Sequence, residues 1–313
     1  MKYEVNLISI EDKDRLMDKY SDRFLYEERA DIYGCCIKLL TDIKYVKERW
    51  EESFYPMSAS IRSHGRLIVT NEQGEGLRVL YDPLSKTAFL INVDYYGWVK
   101  SIALSVAGDI LEDEHGINSV HGACVDLDGQ GTCLIAPPGT GKTTHTYGLL
   151  RLSGIRVVSD DWFFVRLMGG RALAFASEKN FYIQADIASI WGEYQKLIDK
   201  AEFDPMGRAV VNVRWIVGKG RVLPMTTLKK AILLKRDPED KVIFSRLTPD
   251  EAARYMESAD FCNPHMLVRD EHKTNMRKKF FRELFSLLET YIVNTSAPIM
   301  ESHRAIKEEI LKL

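Results

Sequence analysis

The chain has 313 residues, of which 45% are hydrophobic, so it is long enough to bury one large core or two moderate ones. Its formal net charge of −2 gives no basic field of the kind that drives binding to nucleic acid or to an anionic membrane, and neither partner is predicted. The N-terminus becomes charged within about ten residues, and no apolar run of about 18 residues occurs, so we expect a cytoplasmic protein.

The first part of the chain alternates helix-like and strand-like patterns. Helices are predicted over residues 11–20 and 45–54, with a strand over residues 35–40 between them. Three β-like runs follow, separated by the turn-forming sequences NEQGEG and DPLSK, over residues 66–70, 77–81 and 88–93. Residues 1–112 are therefore predicted to form an N-terminal α+β region.

Apolar residues at helical spacing predict a further helix over residues 101–111, after which the sequence enters the charged stretch EDEHG. We place the domain boundary here, so that residues 113–313 form a second domain of the α/β class. Its predicted strands lie at 132–136, 155–159, 163–167, 209–217 and 230–234. Two helices are predicted: one begins after Gly141, and the other covers residues 275–291.

The sequence APPGTGKT at residues 136–143 fits the phosphate-loop pattern, with Ala136 in place of the first glycine. Glycines at this spacing let successive backbone N–H groups turn inward around phosphate oxygens without a Cβ clash. Lys142 is expected to reach the β- and γ-phosphates, and the Thr143 hydroxyl is expected to bind Mg²⁺. The flanking patterns, a β-like run and a helix-compatible segment, favour this interpretation over a surface turn with no ligand. The candidate nucleotide-binding residues are Pro138, Gly139, Thr140, Gly141, Lys142, Thr143 and Thr144.

Two adjacent carboxylates, Asp160 and Asp161, follow the predicted strand 155–159. The short spacing from Lys142 predicts a tight right-handed crossover, which places the ends of both strands at one edge of the sheet beside the phosphates. In phosphoryl transfer to an alcohol, one carboxylate accepts the hydroxyl proton while another holds Mg²⁺. Alternatively, both aspartates are solvated residues of a turn that follows the strand. His121 could hydrogen-bond one aspartate and shift its pKa, or it could be structural.

The stretch SVHGACVDLDGQGTCLIAPPGTGKTT, followed by VVSDD, resembles the C-terminal catalytic domain of HPr kinase/phosphorylase and its relatives. The resemblance covers residues 119–165 and extends weakly to about residue 247. It implies an α/β P-loop kinase domain with a fold shared with phosphoenolpyruvate carboxykinase, preceded here by the N-terminal α+β region. It also implies roles: Lys142 for the phosphates, Thr143 for Mg²⁺, Asp160 as the base toward the acceptor, Asp161 as a metal or orienting acid, and His121 as the partner of the base.

Two departures from that family leave the acceptor open. Thr144 stands where the kinase/phosphorylases usually have an acid, and in this it resembles the carboxykinases. The glycine-rich signature of the kinase/phosphorylases is not found downstream of the aspartates, where residues 177–188 read SEKNFYIQADIA instead. HPr itself is therefore not predicted as the substrate. Lys179 in this segment is the favoured candidate to clamp a γ-phosphate or an anionic acceptor, with an ordinary surface charge as the alternative.

Together these patterns predict an ATP- and Mg²⁺-dependent kinase that transfers the γ-phosphate to a hydroxyl acceptor, with a small metabolite favoured over a protein. A protein serine kinase of HPr-kinase type, a carboxykinase-type transfer to enolpyruvate and a non-catalytic nucleotide sensor are the alternatives. The sequence leaves the donor open among ATP, GTP and pyrophosphate. It also leaves open whether the chain forms a homo-oligomer.

Overall fold

The computed structural model describes residues 3–312, which form a mixed α/β fold with more than one mixed sheet. Contacts divide the chain into two compact units. The first comprises Met1–Gly116 with two short later segments, Ser177–Asn180 and His265–Arg269. The remaining residues form the second unit. Among the helices of residues 3–312, none combines the length and apolar character needed to cross a bilayer.

The first unit is built on one seven-stranded sheet with the order β1-β6-β7-β5-β3-β2-β4. Both parallel and antiparallel neighbours occur in it. Its strands are β1 Val5–Leu7, β2 Tyr26–Ile32, β3 Cys35–Thr41, β4 Tyr55–Pro56, β5 Gly65–Thr70, β6 Arg78–Asp82 and β7 Thr87–Ile91, and its helices are α1 Ile10–Tyr20, α2 Lys44–Ser53 and α3 Tyr96–His115.

Local sequence explains where these elements lie. Strand β7 reads TAFLI and is buried along its whole length, as expected of a central strand covered on both faces. Helix α3 ends at Gly116, whose φ of 60° lies in the left-handed region that glycine adopts at little cost. The predicted helix over residues 101–111 is thus the middle of a longer helix, and the predicted boundary after residue 112 lies inside it.

The second unit contains the remaining elements. Its strands are β8 Ile117–Leu127, β9 Gln130–Ile135, β10 Ile155–Ser159, β11 Trp162–Met168, β12 Arg171–Ala176, β13 Phe181–Gln184, β14 Arg208–Val211, β15 Met225–Lys235, β16 Phe244–Leu247 and β17 Glu289–Asn294. Its helices are α4 Lys142–Leu150, α5 Ile187–Ile190, α6 Gln195–Ile198, α7 Arg214–Val217, α8 Pro249–Ser258, α9 Glu271–Ser286 and α10 Ile299–Leu311.

Strand β8 organises the second unit because it pairs with three other strands. Strands β10 and β11 follow each other along one stretch of chain, and both pair antiparallel with β8. Strand β9 pairs antiparallel with β8 and parallel with β15, while β15 also pairs with β12, which pairs with β11. The pairings therefore close a circuit through β8, β11, β12, β15 and β9. Apolar side chains of α4, β9 and α10 share one hydrophobic core.

Two sequence predictions are wrong in this unit, those for residues 209–217 and 275–291. Strands β9 and β10 run in the same direction, as the predicted crossover requires, and β8 lies between them. The predicted strand over 209–217 is the short strand β14 followed by the helical turn α7. The predicted helix over 275–291 ends at Ser286 as α9, and the next residues form β17, which pairs parallel with β15. Its sequence ETYIVN is rich in β-branched and aromatic residues, which fit a sheet.

Candidate functional site

The predicted phosphate loop joins β9 to α4 in the second unit. Gly139 and Gly141 have φ values of 79° and 98°, in a region where a Cβ costs about 1–2 kcal/mol. A Cβ at Gly139 would meet no atom within 4 Å, so the backbone conformation, and not lack of space, requires glycine there. Both glycines of the motif therefore adopt backbone conformations that favour glycine.

The loop carries backbone N–H groups that have no acceptor within the part of the chain that the structure describes. Among residues 3–312, the structure gives no hydrogen-bond acceptor for the N–H of Gly139 or for those of residues 141–144. Several of these belong to the first turn of α4, where N–H groups have no partner within the helix. Together with the positive end of the helix dipole, they form a site suited to an anion such as phosphate.

Lys142 lies against this loop. Its side chain is buried, and its ammonium nitrogen Nζ donates a hydrogen bond to the Ala136 carbonyl at 2.8 Å. Burial lowers the pKa of Lys142 below its ordinary value, and the negative charge of Asp161 acts in the opposite direction. The lysine is therefore a partly desolvated cation at the start of α4, beside the unused N–H groups.

The two adjacent aspartates link β10 to β11 and lie in different environments. Across β8, Ser159 is paired with Cys124 and Trp162 with His121. Asp160 is 2% exposed, whereas the side chain of Asp161 is 33% exposed. Two carboxylates that are adjacent in sequence therefore differ in their access to a ligand.

His121 contacts one of these carboxylates. Its Nε2 lies 3.3 Å from Oδ1 of Asp161, and its Nδ1 lies 2.6 Å from the carbonyl oxygen of Cys262. A carbonyl only accepts hydrogen bonds, so Nδ1 carries the proton of the neutral ring, and Nε2 can donate to the carboxylate only when the ring takes up a second proton. Sequence analysis made His121 the partner of Asp160 as the base, and the contact in the structure is with Asp161.

The charge state of His121 follows from its surroundings. Burial lowers the pKa of the imidazole below 6.5, and the nearby positive charge of Lys142 lowers it further. The carboxylate of Asp161 opposes both effects. Lys142, His121 and Asp161 thus act on one another electrostatically beside the predicted phosphate loop.

The backbone that supplies the carbonyl to His121 is strained. Asp260, Phe261 and Cys262 have φ values of 51°, 53° and 55°, so three successive residues with side chains adopt the left-handed conformation. Such residues cost on the order of 1–3 kcal/mol each, and they tend to lie at functional sites. The Asn263-Pro264 pair that follows indicated a turn, but not that its carbonyl would reach His121.

The other predicted site residues are placed as follows. Thr143 is half-buried, and the carbonyl of Thr144 accepts a hydrogen bond from Trp191 Nε1 at 2.8 Å. Lys179 belongs to the first unit, where its Nζ donates to the carbonyl of Glu51 at 3.0 Å. Within residues 3–312, no group of three or more His, Cys, Asp or Glu side chains is arranged to hold a metal ion.

Sequence analysis missed three residues around the loop. The hydroxyl of Thr295 donates to the Thr140 carbonyl at 2.9 Å. The imidazole of His145 packs near Gly141 and stacks on that of His303, with ring centroids 5.8 Å apart. His145 lies three residues after the lysine of the motif and could have been noticed. The other two lie far along the chain, and no local pattern marks them.

No protein-family model matches this sequence, and a search of curated proteins found no significant match. The function is therefore inferred from the site itself.

Proposed function

We propose that this chain is a phosphotransferase that uses ATP with Mg²⁺ and transfers the γ-phosphate to a hydroxyl group of an acceptor, favoured to be a small metabolite. The observation that carries the proposal is the group of unused N–H donors at the start of α4, beside Lys142 and the Asp161–His121 pair. A further part of the proposal is that the second unit has the P-loop kinase fold of the HPr-kinase/carboxykinase type.

The loop fits the donor nucleotide. The N–H groups of residues 141–144 would bind phosphate oxygens, and the Lys142 ammonium would leave the Ala136 carbonyl to bind the β- and γ-phosphates. Phosphate oxygens are stronger acceptors than a carbonyl because they are charged, so this exchange is favourable for a partly desolvated cation.

The magnesium ion would be held by Thr143 and by Asp160, the buried carboxylate after β10. Mg²⁺ usually binds one or two protein oxygens together with substrate phosphates, and Thr143, half-buried at the start of α4, would supply one of them. When bound, the ion would neutralise negative charge on the phosphate oxygens. In our proposal Asp160, the buried carboxylate, takes the metal or orienting role.

The proton acceptor in this proposal is Asp161. It is the more exposed carboxylate, it contacts His121, and its charge acts on Lys142. His121 would hold the carboxylate in place and share the proton that the acceptor hydroxyl gives up. The proposal thus exchanges the two aspartate roles that the resemblance implied, because the geometry pairs His121 with Asp161.

The experiment is a transfer assay with γ-labelled ATP and Mg²⁺ against separated metabolite and protein extracts. Lys142→Ala serves as the blank, and Lys219→Ala, which removes an exposed lysine outside the loop, is the matched control. We expect label in the metabolite fraction for the wild type and for Lys219→Ala only. Label in protein would favour a protein serine kinase. ATP binding with no labelled product in either fraction would contradict the transferase and favour a nucleotide sensor.

A further inference from the structure

Thr295 connects the phosphate loop to a neighbouring strand of the second unit. It follows β17 directly and is buried. Its backbone N–H donates to the carbonyl of Lys235, at the end of β15, at 2.8 Å. Its side-chain hydroxyl lies 2.9 Å from the carbonyl oxygen of Thr140, in the middle of the loop, and 3.1 Å from that of Lys235. The hydroxyl has one proton, and the shorter contact, to Thr140, is the one that links the loop to Thr295. One residue therefore fixes the loop that follows β9 to the end of β15.

The contact to Thr140 sets the direction of the next N–H group. In a trans peptide the carbonyl and the following N–H point to opposite sides, and no cis peptide bond occurs within residues 3–312. With the Thr140 carbonyl held toward Thr295, the N–H of Gly141 points the other way. That N–H is one of the unused donors of the anion site.

The loop itself does little to fix this peptide. Gly139 and Gly141 flank Thr140, and glycine adopts many conformations at similar cost, so rotation of the Thr140–Gly141 peptide meets little steric resistance. The Thr140 hydroxyl does not hold this carbonyl, because it donates to the carbonyl of Pro137 at 2.6 Å. The orientation of the peptide therefore depends on a hydrogen bond from outside the loop.

The support for Thr295 is itself well anchored. The neighbouring Asn294 side chain donates to the carbonyls of Asp237 and Asp240 at 2.7 Å and 2.8 Å. It also accepts from the N–H of Asp237 at 3.0 Å. These bonds hold the segment after β15 against the end of β17, so the Thr295 hydroxyl starts from a fixed position.

We infer that Thr295 is a positioning residue for nucleotide binding, which acts by aiming the Gly141 N–H at a phosphate of the bound triphosphate. The inference rests on the proposed function. It assigns to Thr295 no contact with the nucleotide, only the orientation of a group that makes one.

The test compares Thr295→Val with Thr290→Val and Thr295→Ser. Valine keeps the shape of threonine and removes the hydroxyl. Thr290 lies in β17, the strand that Thr295 follows, and is 2% exposed. Its hydroxyl has no hydrogen-bond partner within the described residues, so its replacement removes no bond. Serine at position 295 restores the hydroxyl. Two quantities are measured: the dissociation constant for ATP with Mg²⁺, and the amide resonance of Gly141 in the nucleotide-free protein.

We expect Thr295→Val to weaken ATP binding about five- to tenfold, the effect of one hydrogen bond, and to shift the Gly141 amide resonance. Thr290→Val and Thr295→Ser should resemble the wild type in both. Equal ATP affinity and an unchanged Gly141 resonance in Thr295→Val would overturn the inference alone. Absence of ATP binding by the wild type would instead contradict the proposed function, and the Gly141 resonance would still report whether the hydroxyl orients the peptide.

Discussion

His121 Nε2 lies 3.3 Å from Asp161 Oδ1, while the other ring nitrogen of His121 donates to the Cys262 carbonyl. Both ring nitrogens of the imidazole thus contact an acceptor, and a proton taken up by the pair would lie between Nε2 and the carboxylate. Because Lys142 also acts on His121, the pair is coupled to the residue expected to bind phosphate. This relationship is the basis for separating the roles of the two aspartates.

The first prediction concerns Asp161→Asn. The amide can still contact His121, but it cannot accept a proton, so we expect phosphoryl transfer to fall by at least about 100-fold. ATP affinity should change much less, since the loop donors are intact. The measurement is transfer of label from ATP alongside equilibrium ATP binding. Asp160→Asn is the matched comparison. Transfer of label by Asp160→Asn should depend on Mg²⁺ concentration more strongly than transfer by Asp161→Asn does. Full transfer by Asp161→Asn would rule out its role as base.

The second prediction concerns the pH dependence of transfer. Burial and Lys142 lower the pKa of His121 from 6.5, so the imidazole stays without an extra proton at pH values where an ordinary histidine is already charged. We expect kcat/KM to persist below pH 6.5 and to fall only at lower pH, where the His121–Asp161 pair takes up a proton. In His121→Gln, the pH at which kcat/KM falls on the acid side should change. The same pH in the variant and the wild type would show that another group causes the fall.

The third prediction concerns stability in acid. His145 and His303 are buried, and burial lowers the pKa of each to about 4. In the unfolded chain each binds a proton near pH 6.5, so the unfolded state holds more protons between pH 6.5 and about 4. The two histidines therefore leave the free energy of unfolding independent of pH above pH 6.5. They lower it as pH falls from 6.5 toward 4, by at most about 1.4 kcal/mol per pH unit for each histidine.

Urea unfolding at pH 7 and pH 5 measures this loss. His145→Gln removes one of the two groups, so the variant should lose less of its free energy of unfolding between the two pH values than the wild type loses. The comparison is made within each protein, so a general destabilisation by the substitution does not affect it. An equal loss in both proteins would contradict the prediction.

The fourth prediction concerns packing behind the loop. A Cβ at Gly148, within α4, would lie 2.5 Å from His303 Cε1 and 2.7 Å from Trp191 Cζ2. Helix propensity alone favours alanine there by about 0.5–1 kcal/mol, but overpacking costs about 1–3 kcal/mol. We expect Gly148→Ala to lower the free energy of unfolding in a urea titration. Gly192→Ala, where a Cβ meets no atom within 4 Å, should stay within about 0.5 kcal/mol of the wild type. A stabilised Gly148→Ala would be the opposite result.

Local patterns predicted much of the secondary structure in both units. The strand at Ile155–Ser159 has the predicted bounds, and the loop between β9 and α4 lies where the motif indicated. The predicted helix over 275–291 shows how a local pattern can mislead. Leu287, Leu288 and Tyr291 continue the apolar spacing of α9 by coincidence. The strand that pairs with β17 lies far back in the chain, so the local sequence does not reveal it.

The candidate site could be assembled from sequence only in part. The predicted phosphate loop is a contiguous motif, so its glycines and Lys142 could be named from sequence. The Cys262 carbonyl reaches His121 across 141 positions, and the Thr295 hydroxyl reaches Thr140 across 155. No composition or periodicity encodes such contacts. Which of two adjacent aspartates faces His121 depends on the register of β8 against β10 and β11, and sequence alone does not give that register.

The most direct test of the central claim is an equilibrium titration of ATP with Mg²⁺ into the wild type, Lys142→Ala and Lys219→Ala. It needs no knowledge of the acceptor. We predict one ATP bound per chain for the wild type and for Lys219→Ala, with affinity at least tenfold lower in Lys142→Ala, because a charge-assisted contact to phosphate is lost. Failure of the wild type to bind ATP, or equal affinity in Lys142→Ala, would contradict the account.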